Sequence, residues 1–406
     1  MEDIGTGVDV ARWRREFPIV DTCTYLVSHS LGAMPRKATE YLQQFADEWS
    51  GRGVRAWYEG WWEIGRETGN LLAPILGVAK NTISMHQNVT VAQGIVASCF
   101  TYDGPRRKIV MTDLEFPSNH YLYEGFRRYG AEIAYVPSAD PVRLDVQRFL
   151  DAIDERTVLV PISFVLFKSA FITDIRAIVD KAHRVGAFVV VDAYQGAGTV
   201  PMALDAWGAD FAVGGSVKWL CGGPGAGYLY VRPDLALTLR PAFVGWAAHE
   251  SPFEFATGQI RYAGSPERFQ SGTPNVPSLY SARAGYEIVA AIGVPAIRRR
   301  SLTLTRRLID RAIAAGFRLN TPTSDHERGG SVIVEGRGAK SEGGGAFGPE
   351  VADELIRRNV IIDYRPGAGI RMAPHFYNTE EEIDLAVETM GNIVSGERGA
   401  RSEWLR

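Results

Sequence analysis

Short apolar runs alternate with amphipathic stretches between about residues 70 and 235. Each run is rich in β-branched residues and almost continuously apolar, which is typical of strands covered on both faces. Between two runs, the segment 174–185 carries apolar residues at helical spacing and charged residues on its other face. The alternation predicts an α/β fold with a mostly parallel central sheet and helices on both faces. The predicted strands are 108–111, 131–136, 157–162, 188–192, 211–214 and 227–231.

The pattern changes after about residue 285, where strands become shorter and helical stretches longer. We predict a long helix over 282–315, short strands at 331–335, 360–363 and 369–372, and a closing helix. The Gly-rich segment Gly336 to Gly348 has no apolar anchor, which predicts either a mobile loop or a tolerated surface insertion. We therefore expect three parts: an N-terminal segment (1–45), a large α/β domain (46–285), and a small C-terminal α+β domain (286–406) on which the N-terminal segment packs.

The amino-acid composition indicates a globular protein and argues against a nucleic-acid-binding function. The chain has 406 residues, 46% hydrophobic and 22% charged, which is typical of a globular protein with more than one core. Its 44 Lys and Arg against 47 Asp and Glu give a formal charge of −3, and there is no dense basic run. Nucleic acid is therefore not an expected partner.

Cysteines and hydropathy bear on the compartment. The three cysteines, Cys23, Cys99 and Cys221, are scattered, which favours a reducing compartment and predicts neither disulfides nor a metal site. Residues 1–15 are polar, and no run of about 18 apolar residues occurs. We expect a cytoplasmic protein that makes no use of a membrane.

An acidic and a basic side chain follow two consecutive predicted strands. Asp192 ends the strand 188–192, and Lys218 follows the strand 211–214. Open α/β sheets bind ligands at the carboxyl ends of their strands. Taken alone, Asp192 could simply cap the following helix, and Lys218 could be an ordinary solvated lysine. Together they match pyridoxal phosphate, which needs a lysine for its Schiff base and a carboxylate to keep its ring nitrogen protonated.

The same cofactor needs a phosphate site and a cover for its ring. The segment Asn88–Ala92 opens a predicted helix, so the amides of Val89 and Thr90 and the Thr90 hydroxyl are candidates for the phosphate. Ser216, two residues before the lysine, is another candidate. Phe116 follows the strand 108–111 and is the candidate for ring stacking, although a core position is the alternative.

Six segments in order make the chain similar to fold-type I pyridoxal-phosphate enzymes of the class V aminotransferase group, and most similar to their kynureninase branch. The likeness extends over nearly the whole chain. The segments are Tyr25–Gly32, Glu115–Ser118, Lys218–Gly225, Pro241–Trp246, Gly272–Pro274 and Gly369–Pro374.

The resemblance assigns roles to individual residues. Lys218 resembles the Schiff-base lysine, and Asp192 the partner of the cofactor's ring nitrogen. Arg371 resembles the arginine that binds the substrate α-carboxylate, a task that guanidinium performs through two parallel hydrogen bonds. The stacking aromatic of the family corresponds to Phe116. Trp246 and Thr273 resemble residues that reach the neighbouring subunit's cofactor, which implies a homodimer with shared active sites.

The N-terminal loop resembles the family's substrate-facing segment, so His29 and Ser30 are expected substrate contacts. Asn119, just after the Glu115–Ser118 segment, is a further expected substrate contact. Gln195 stands where kynureninases carry histidine, and it resembles the glutamine of cysteine desulfurases. As such, Gln195 is expected to donate to the cofactor's phenolic oxygen.

Three departures leave the reaction open. Val217 replaces a kynureninase tyrosine, Gln195 a histidine, and Thr273 an asparagine. Desulfurase activity is not favoured, because no cysteine lies beyond Cys221. The leading prediction is hydrolysis of a Cβ–Cγ bond of an L-amino acid through an external aldimine. The alternative is a specialised carbon–sulfur lyase or class V aminotransferase, and a cofactor-binding protein without turnover is a remoter one.

Overall fold

The computed structural model describes residues 6–337 and 345–396. Strands and helices alternate along most of this range, as the hydrophobic pattern predicts. The strands are β1 Thr24–Tyr25, β2 Ile83–His86, β3 Lys108–Thr112, β4 Glu132–Val136, β5 Thr157–Ser163, β6 Phe188–Asp192, β7 Phe211–Gly215, β8 Gly227–Val231, β9 Phe317–Leu319, β10 Val332–Arg337, β11 Val360–Ile361, β12 Asp363–Arg365 and β13 Gly369–Met372. The helices are α1 Val10–Arg14, α2 Arg36–Arg52, α3 Ile64–Leu76, α4 Val89–Ala97, α5 Pro117–Phe126, α6 Val146–Asp151, α7 Ile175–Arg184, α8 Leu204–Trp207, α9 Pro233–Ala236, α10 Val276–Ile292, α11 Val294–Ala314, α12 Pro349–Arg357 and α13 Glu380–Ser395.

The large sheet has the order β2-β8-β7-β6-β5-β3-β4. Strands β3 to β7 pair in parallel with one another, whereas β8 runs antiparallel to both β7 and β2. The inner strands β3, β5 and β7 are buried along their full length, as their continuous apolar sequences require. The predicted mostly parallel α/β sheet is therefore confirmed.

The crossover helix α7 shows how the local sequence builds these layers. Asp174 caps its N-terminus by accepting from the amide of Ala177 at 3.0 Å. Four apolar residues of α7 are buried against the sheet, and basic residues occupy its last turn, where they complement the helix dipole. The helix covers one face of the sheet near β6, with its charged face in solvent.

A smaller antiparallel sheet follows, with the order β12-β13-β10-β9. Helices α11, α12 and α13 contribute apolar residues to the core beneath it. The N-terminal segment joins this part of the molecule, because β1 pairs in parallel with β11 and Leu26 lies in the same apolar cluster. The domain boundaries themselves stay a prediction.

Strands β1, β2 and β9 lie outside the predicted strands, and one predicted helix also differs. Strand β2 was not predicted, because only two of its four residues are apolar and its end carries His86. The predicted long helix over 282–315 was wrong: it is two helices, α10 and α11, separated at Gly293. Gly293 adopts φ +84, and Pro295 lies at the start of α11, so the first helix ends there.

The Gly-rich segment is only partly described, since residues 338–344 lie outside the described residues. Beyond them, the amide of Phe347 donates to the carbonyl of Glu335 at 2.8 Å, and the Phe347 ring packs on Phe317. The segment therefore has an apolar anchor at its end, and the prediction that it has none was wrong. None of the helices in the described part of the chain combines the length and the hydrophobicity of a membrane span.

Candidate active site

The carboxyl ends of the parallel strands bring Asp192 and Lys218 to one edge of the sheet. Asp192 is the last residue of β6, and Lys218 lies in the loop that follows β7. The Lys218 Nζ atom lies 4.1 Å from the centre of the Tyr194 ring and 5.8 Å from that of Phe116. An ammonium or amine at this position is thus held between two aromatic faces.

Burial changes the acid–base behaviour of Lys218. Desolvation lowers its pKa from the ordinary 10.5 to about 8; the nearby Asp192 carboxylate opposes this shift and the Arg371 guanidinium adds to it. A lysine with this pKa carries an appreciable fraction of neutral amine near neutral pH. The amine is the form that attacks a carbonyl or accepts a proton.

Asp192 is a buried carboxylate with amide partners only. It accepts from the amide of Tyr194 at 2.9 Å and from Asn119 Nδ2 at 3.1 Å. Burial raises its pKa. Within the described residues no cationic side chain forms an ion pair with it, although an isolated charge at such depth is costly. The site therefore fits a ligand with a cationic ring nitrogen.

The start of α4 offers a phosphate site at the same edge. Asn88 caps the helix by accepting from the amide of Val91, so the amides of Val89 and Thr90 have no partner in the helix. Thr90 is exposed. Ser216 is different: its hydroxyl is buried, donates to the carbonyl of Ala226 at 2.7 Å, and lies 2.6 Å from the hydroxyl of Tyr286.

Gln195 is oriented by two hydrogen bonds. Its amide nitrogen donates to the carbonyl of His29 at 3.1 Å, and its amide oxygen accepts from the indole nitrogen of Trp219 at 3.1 Å. His375 in turn donates from Nε2 to the carbonyl of Trp219 at 2.8 Å. These contacts link the N-terminal loop, the strand end and the small domain to the segment that carries Lys218.

Arg371 is buried on β13 with a carboxylate beside it. Its Nε and Nη2 atoms donate to the two oxygens of Asp363 at 2.7 and 2.5 Å, and Nη1 donates to the carbonyl of Phe167 at 2.8 Å. Asp363 also contacts His29 at 3.1 Å and Arg365 at 3.0 Å. Burial lowers the pKa of His29 to about 4, so this imidazole is neutral near neutral pH.

Of the remaining predicted residues, Trp246, Thr273 and Ser30 make none of the contacts described above, whereas Asn119 belongs to the group. Trp246 is exposed and packs on Trp62 and Phe255 in a surface aromatic cluster. Thr273 is also exposed, and Ser30 is half-buried in the turn next to His29. Asn119 contacts Asp192 instead of facing solvent. The structure therefore brings together His29, Phe116, Asn119, Asp192, Gln195, Lys218 and Arg371.

Sequence reasoning missed three residues of this site. Tyr194 lies between the two predicted residues Asp192 and Gln195, and that position was a usable signal. Asp363 begins β12 and Arg365 ends it, and the pairing of β12 with β13 places Asp363 opposite Arg371. The short Gly-containing turn between these two strands is a hairpin signal that could have revealed the pairing.

The family model described as "Aminotransferase class-V" matches residues 24–385. An uncharacterized aminotransferase, YcbU, from Bacillus subtilis (strain 168) is 31% identical over 380 residues, covering 93% of this chain and 96% of its own length. Kynureninase from Geobacillus thermodenitrificans is 29% identical over 402 residues, covering 94% and 91%.

Solved structures show the same fold. The apo cysteine desulfurase of Thermococcus onnurineus NA1 superposes with a TM-score of 0.82 at 21% identity, covering 95% of this chain and 98% of that one. The cystine C–S lyase C-DES superposes with a TM-score of 0.79 at 20% identity, covering 93% and 99%. The predicted fold type is confirmed. The chain belongs to the class V aminotransferase family, and its cofactor is pyridoxal phosphate.

Proposed function

We propose that the protein is a pyridoxal-phosphate enzyme that acts on an L-amino acid and hydrolyses a Cβ–Cγ bond as kynureninases do. The observation that carries the proposal is the buried Lys218 amine, flanked by the Asp192 carboxylate and the Arg371 guanidinium. Kynureninases that match nearly the whole chain at 29% identity support the reaction class. The predicted cofactor contacts at Val89, Thr90, Phe116, Gln195 and Ser216 are part of the proposal.

Arg371 retains the donors that a substrate carboxylate needs. A guanidinium has five N–H groups, of which Asp363 takes two and the Phe167 carbonyl one. One N–H remains on each Nη atom. Two such donors match the two oxygens of an α-carboxylate, while Asp363 fixes the plane of the guanidinium.

Lys218 is suited to move the Cα proton. When bound, the cofactor supplies an electron sink for the charge left on Cα. Lys218, with a pKa of about 8, accepts that proton at Nζ and returns it later. For a γ-keto substrate, the hydroxyl of water bonds to Cγ, the Cβ–Cγ bond breaks, and Cβ gains a proton. The products are a carboxylic acid and alanine.

A homodimer is part of the proposal. Trp62, Trp246, Phe253 and Phe255 form a surface aromatic cluster in which successive rings lie 4.9 to 6.3 Å apart. Large exposed aromatic groups are enriched at protein interfaces. In a homodimer, Trp246 and Thr273 would reach the site of the neighbouring subunit. A cytoplasmic location likewise stays a proposal, based on the three scattered cysteines.

The first experiment is an absorbance spectrum of the purified protein with pyridoxal phosphate, before and after L-kynurenine is added. We expect a visible band from lysine-bound cofactor, cofactor fixed on Lys218 after borohydride reduction, and release of anthranilate. Lys218→Ala should lose the covalent label and turnover, whereas Lys80→Ala, an exposed lysine, should retain both. A protein that gains no band with added cofactor contradicts the proposal, as does a fully active Lys218→Ala variant.

The second candidate is a carbon–sulfur lyase or an aminotransferase. Val217 favours it, because its side chain has no hydroxyl where kynureninases carry tyrosine. The fold neighbours include a cystine C–S lyase, although that likeness concerns the fold alone. Cofactor binding without anthranilate, together with pyruvate from cystine or transfer of an amino group to an added keto acid, would establish this candidate in place of the first.

A further inference from the structure

Glu115 is a buried carboxyl close to the cofactor site, and the sequence analysis assigns it no role. It lies at the end of the loop after β3, and only 2% of its surface is exposed. Its Oε1 atom accepts from the amide of Ser163 at 2.8 Å. Its Oε2 atom is 2.5 Å from the Ser163 hydroxyl. Ser163 ends β5 and pairs with Asp192 on β6, so both carboxyls reach the same edge of the sheet.

A single amide connects the two carboxyls. Asn119 Nδ2 lies 3.1 Å from Glu115 Oε2 and 3.1 Å from Asp192 Oδ2. The two oxygens are therefore at most 6.2 Å apart. Gln93 Nε2 donates to Asn119 Oδ1 at 2.9 Å, which fixes the amide so that its two hydrogens point at the two carboxyls.

The surroundings disfavour two negative charges here. Asp192 and the hydroxyl of Tyr123 face Glu115, and His120 contacts its main chain. The Lys218 charge also acts on Asp192 and opposes the rise of its pKa. Burial raises the pKa of Glu115 to about 7, and the Asp192 carboxylate adds to that shift. Asp192 and Glu115 do not contact each other directly, but two buried carboxyls on one bridging amide resist ionising together, because the second negative charge would form near the first.

We propose that Glu115 is a positioning residue of the cofactor site: joined to Asp192 through Asn119, it holds a proton in the empty protein and releases it to solvent when a cationic ring nitrogen pairs with Asp192. The proposal rests on the proposed role of Asp192 and is independent of which substrate is used.

Linkage gives the sign of the effect. A cation beside Asp192 favours ionised Glu115 and so lowers the pKa of Glu115 from about 7. Between the lowered value and 7, binding releases a proton, and cofactor affinity rises with pH. Above pH 7, Glu115 is ionised with and without cofactor, so its contribution to cofactor affinity no longer changes with pH. Each unit of lowering corresponds to about tenfold in affinity.

The test measures cofactor affinity of the apo protein from pH 5.5 to 8.5 by absorbance, for the wild type and for Glu115→Gln. The ratio of the two affinities cancels the titration of the cofactor itself. We expect a ratio near one at pH 5.5 that rises to about tenfold above pH 7. Glu124→Gln removes a partly exposed carboxyl of α5 that pairs with Arg127 at the surface, and it should leave affinity unchanged at every pH.

Two results would overturn the proposal: a ratio that is constant with pH, which indicates a structural role only, or no difference at all. Where Glu115→Gln does not fold, Ser163→Ala decides, because it removes one donor and should shift the rise in affinity above pH 7. Asp192→Asn tests the underlying assignment separately. If that variant binds cofactor as well as the wild type, the proposed role of Asp192 fails, whatever Glu115 does.

Discussion

Replacing Asp363 with asparagine removes the carboxylate that contacts Arg371, Arg365 and His29. In the wild type its oxygens accept two hydrogen bonds from Arg371 and contact His29 and Arg365. The side chain of Arg371 is only 3% exposed and that of Asp363 14%. In Asp363→Asn, two guanidinium groups would face a neutral amide, and the buried one would have no counter-ion.

The burial of Arg371 sets the magnitude. Breaking a buried ion pair by removing one partner costs about 3–5 kcal/mol, because the remaining charge stays desolvated. Arg365 is 42% exposed, so the loss of its ion pair with Asp363 costs little stability. We expect Asp363→Asn to lower the free energy of unfolding by about 3 kcal/mol. Adding Arg371→Met should recover part of that loss, since the double variant buries no unpaired charge.

Urea unfolding of the apo protein at neutral pH measures the effect. Asp384→Asn is the matched control: Asp384 also binds an arginine through both oxygens, Arg307, but on a more exposed surface. Asp384→Asn should lower the free energy of unfolding by no more than about 1 kcal/mol. A loss for Asp363→Asn no larger than that of the control would refute the reasoning, as would strictly additive losses in the double variant.

Two further predictions concern packing and pH. A Cβ on Gly32 would lie 2.1 Å from the carbonyl oxygen of Lys218, so Gly32→Ala should displace the lysine loop and weaken cofactor binding at least about tenfold in an absorbance titration. The control is Gly51→Ala, because a Cβ at Gly51 meets nothing within 4 Å. Equal cofactor affinities of the two variants would contradict the prediction. Burial lowers the pKa of His86 from 6.5 to about 4. The unfolded chain therefore binds the proton first, and acidification from pH 6.5 to 4 should cost about 3 kcal/mol of stability through this residue. His86→Gln should flatten that slope relative to the exposed-residue control His326→Gln, and parallel slopes would show that His86 is not the group that titrates.

The chemistry at the strand ends was predictable because parallel sheets place their carboxyl ends together. Asp192 and Lys218 follow apolar runs that are unambiguous strands, so their proximity follows from the fold class. Arg371 required the resemblance to a family. Strand β2 is short and half polar, and the break at Gly293 interrupts an otherwise continuous helical pattern, so hydrophobic periodicity could not identify either.

The contacts that tune the site were beyond sequence reasoning for a physical reason. Glu115 reaches Asp192 through Asn119, 73 positions before the aspartate, and Asp363 meets His29 across 334 positions. Such contacts depend on the register of separate strands and on side-chain direction. A polar residue in a loop carries no mark in the sequence that it will be buried.

Val217, the residue before Lys218, does not take part in the first step that the candidate reactions have in common. The Val217 carbonyl accepts from the amide of Gly32 at 2.7 Å, and His375 holds the carbonyl of Trp219 on the other side of the lysine. Main-chain contacts thus fix the lysine loop, and none of them uses the Val217 side chain. Because hydrolysis, C–S cleavage and transamination all begin with Cα deprotonation at the same amine, Val217 leaves that common step intact. The hydroxyl that Val217 lacks can therefore matter only in the later steps, in which the two candidates differ, and product analysis with varied substrates separates them.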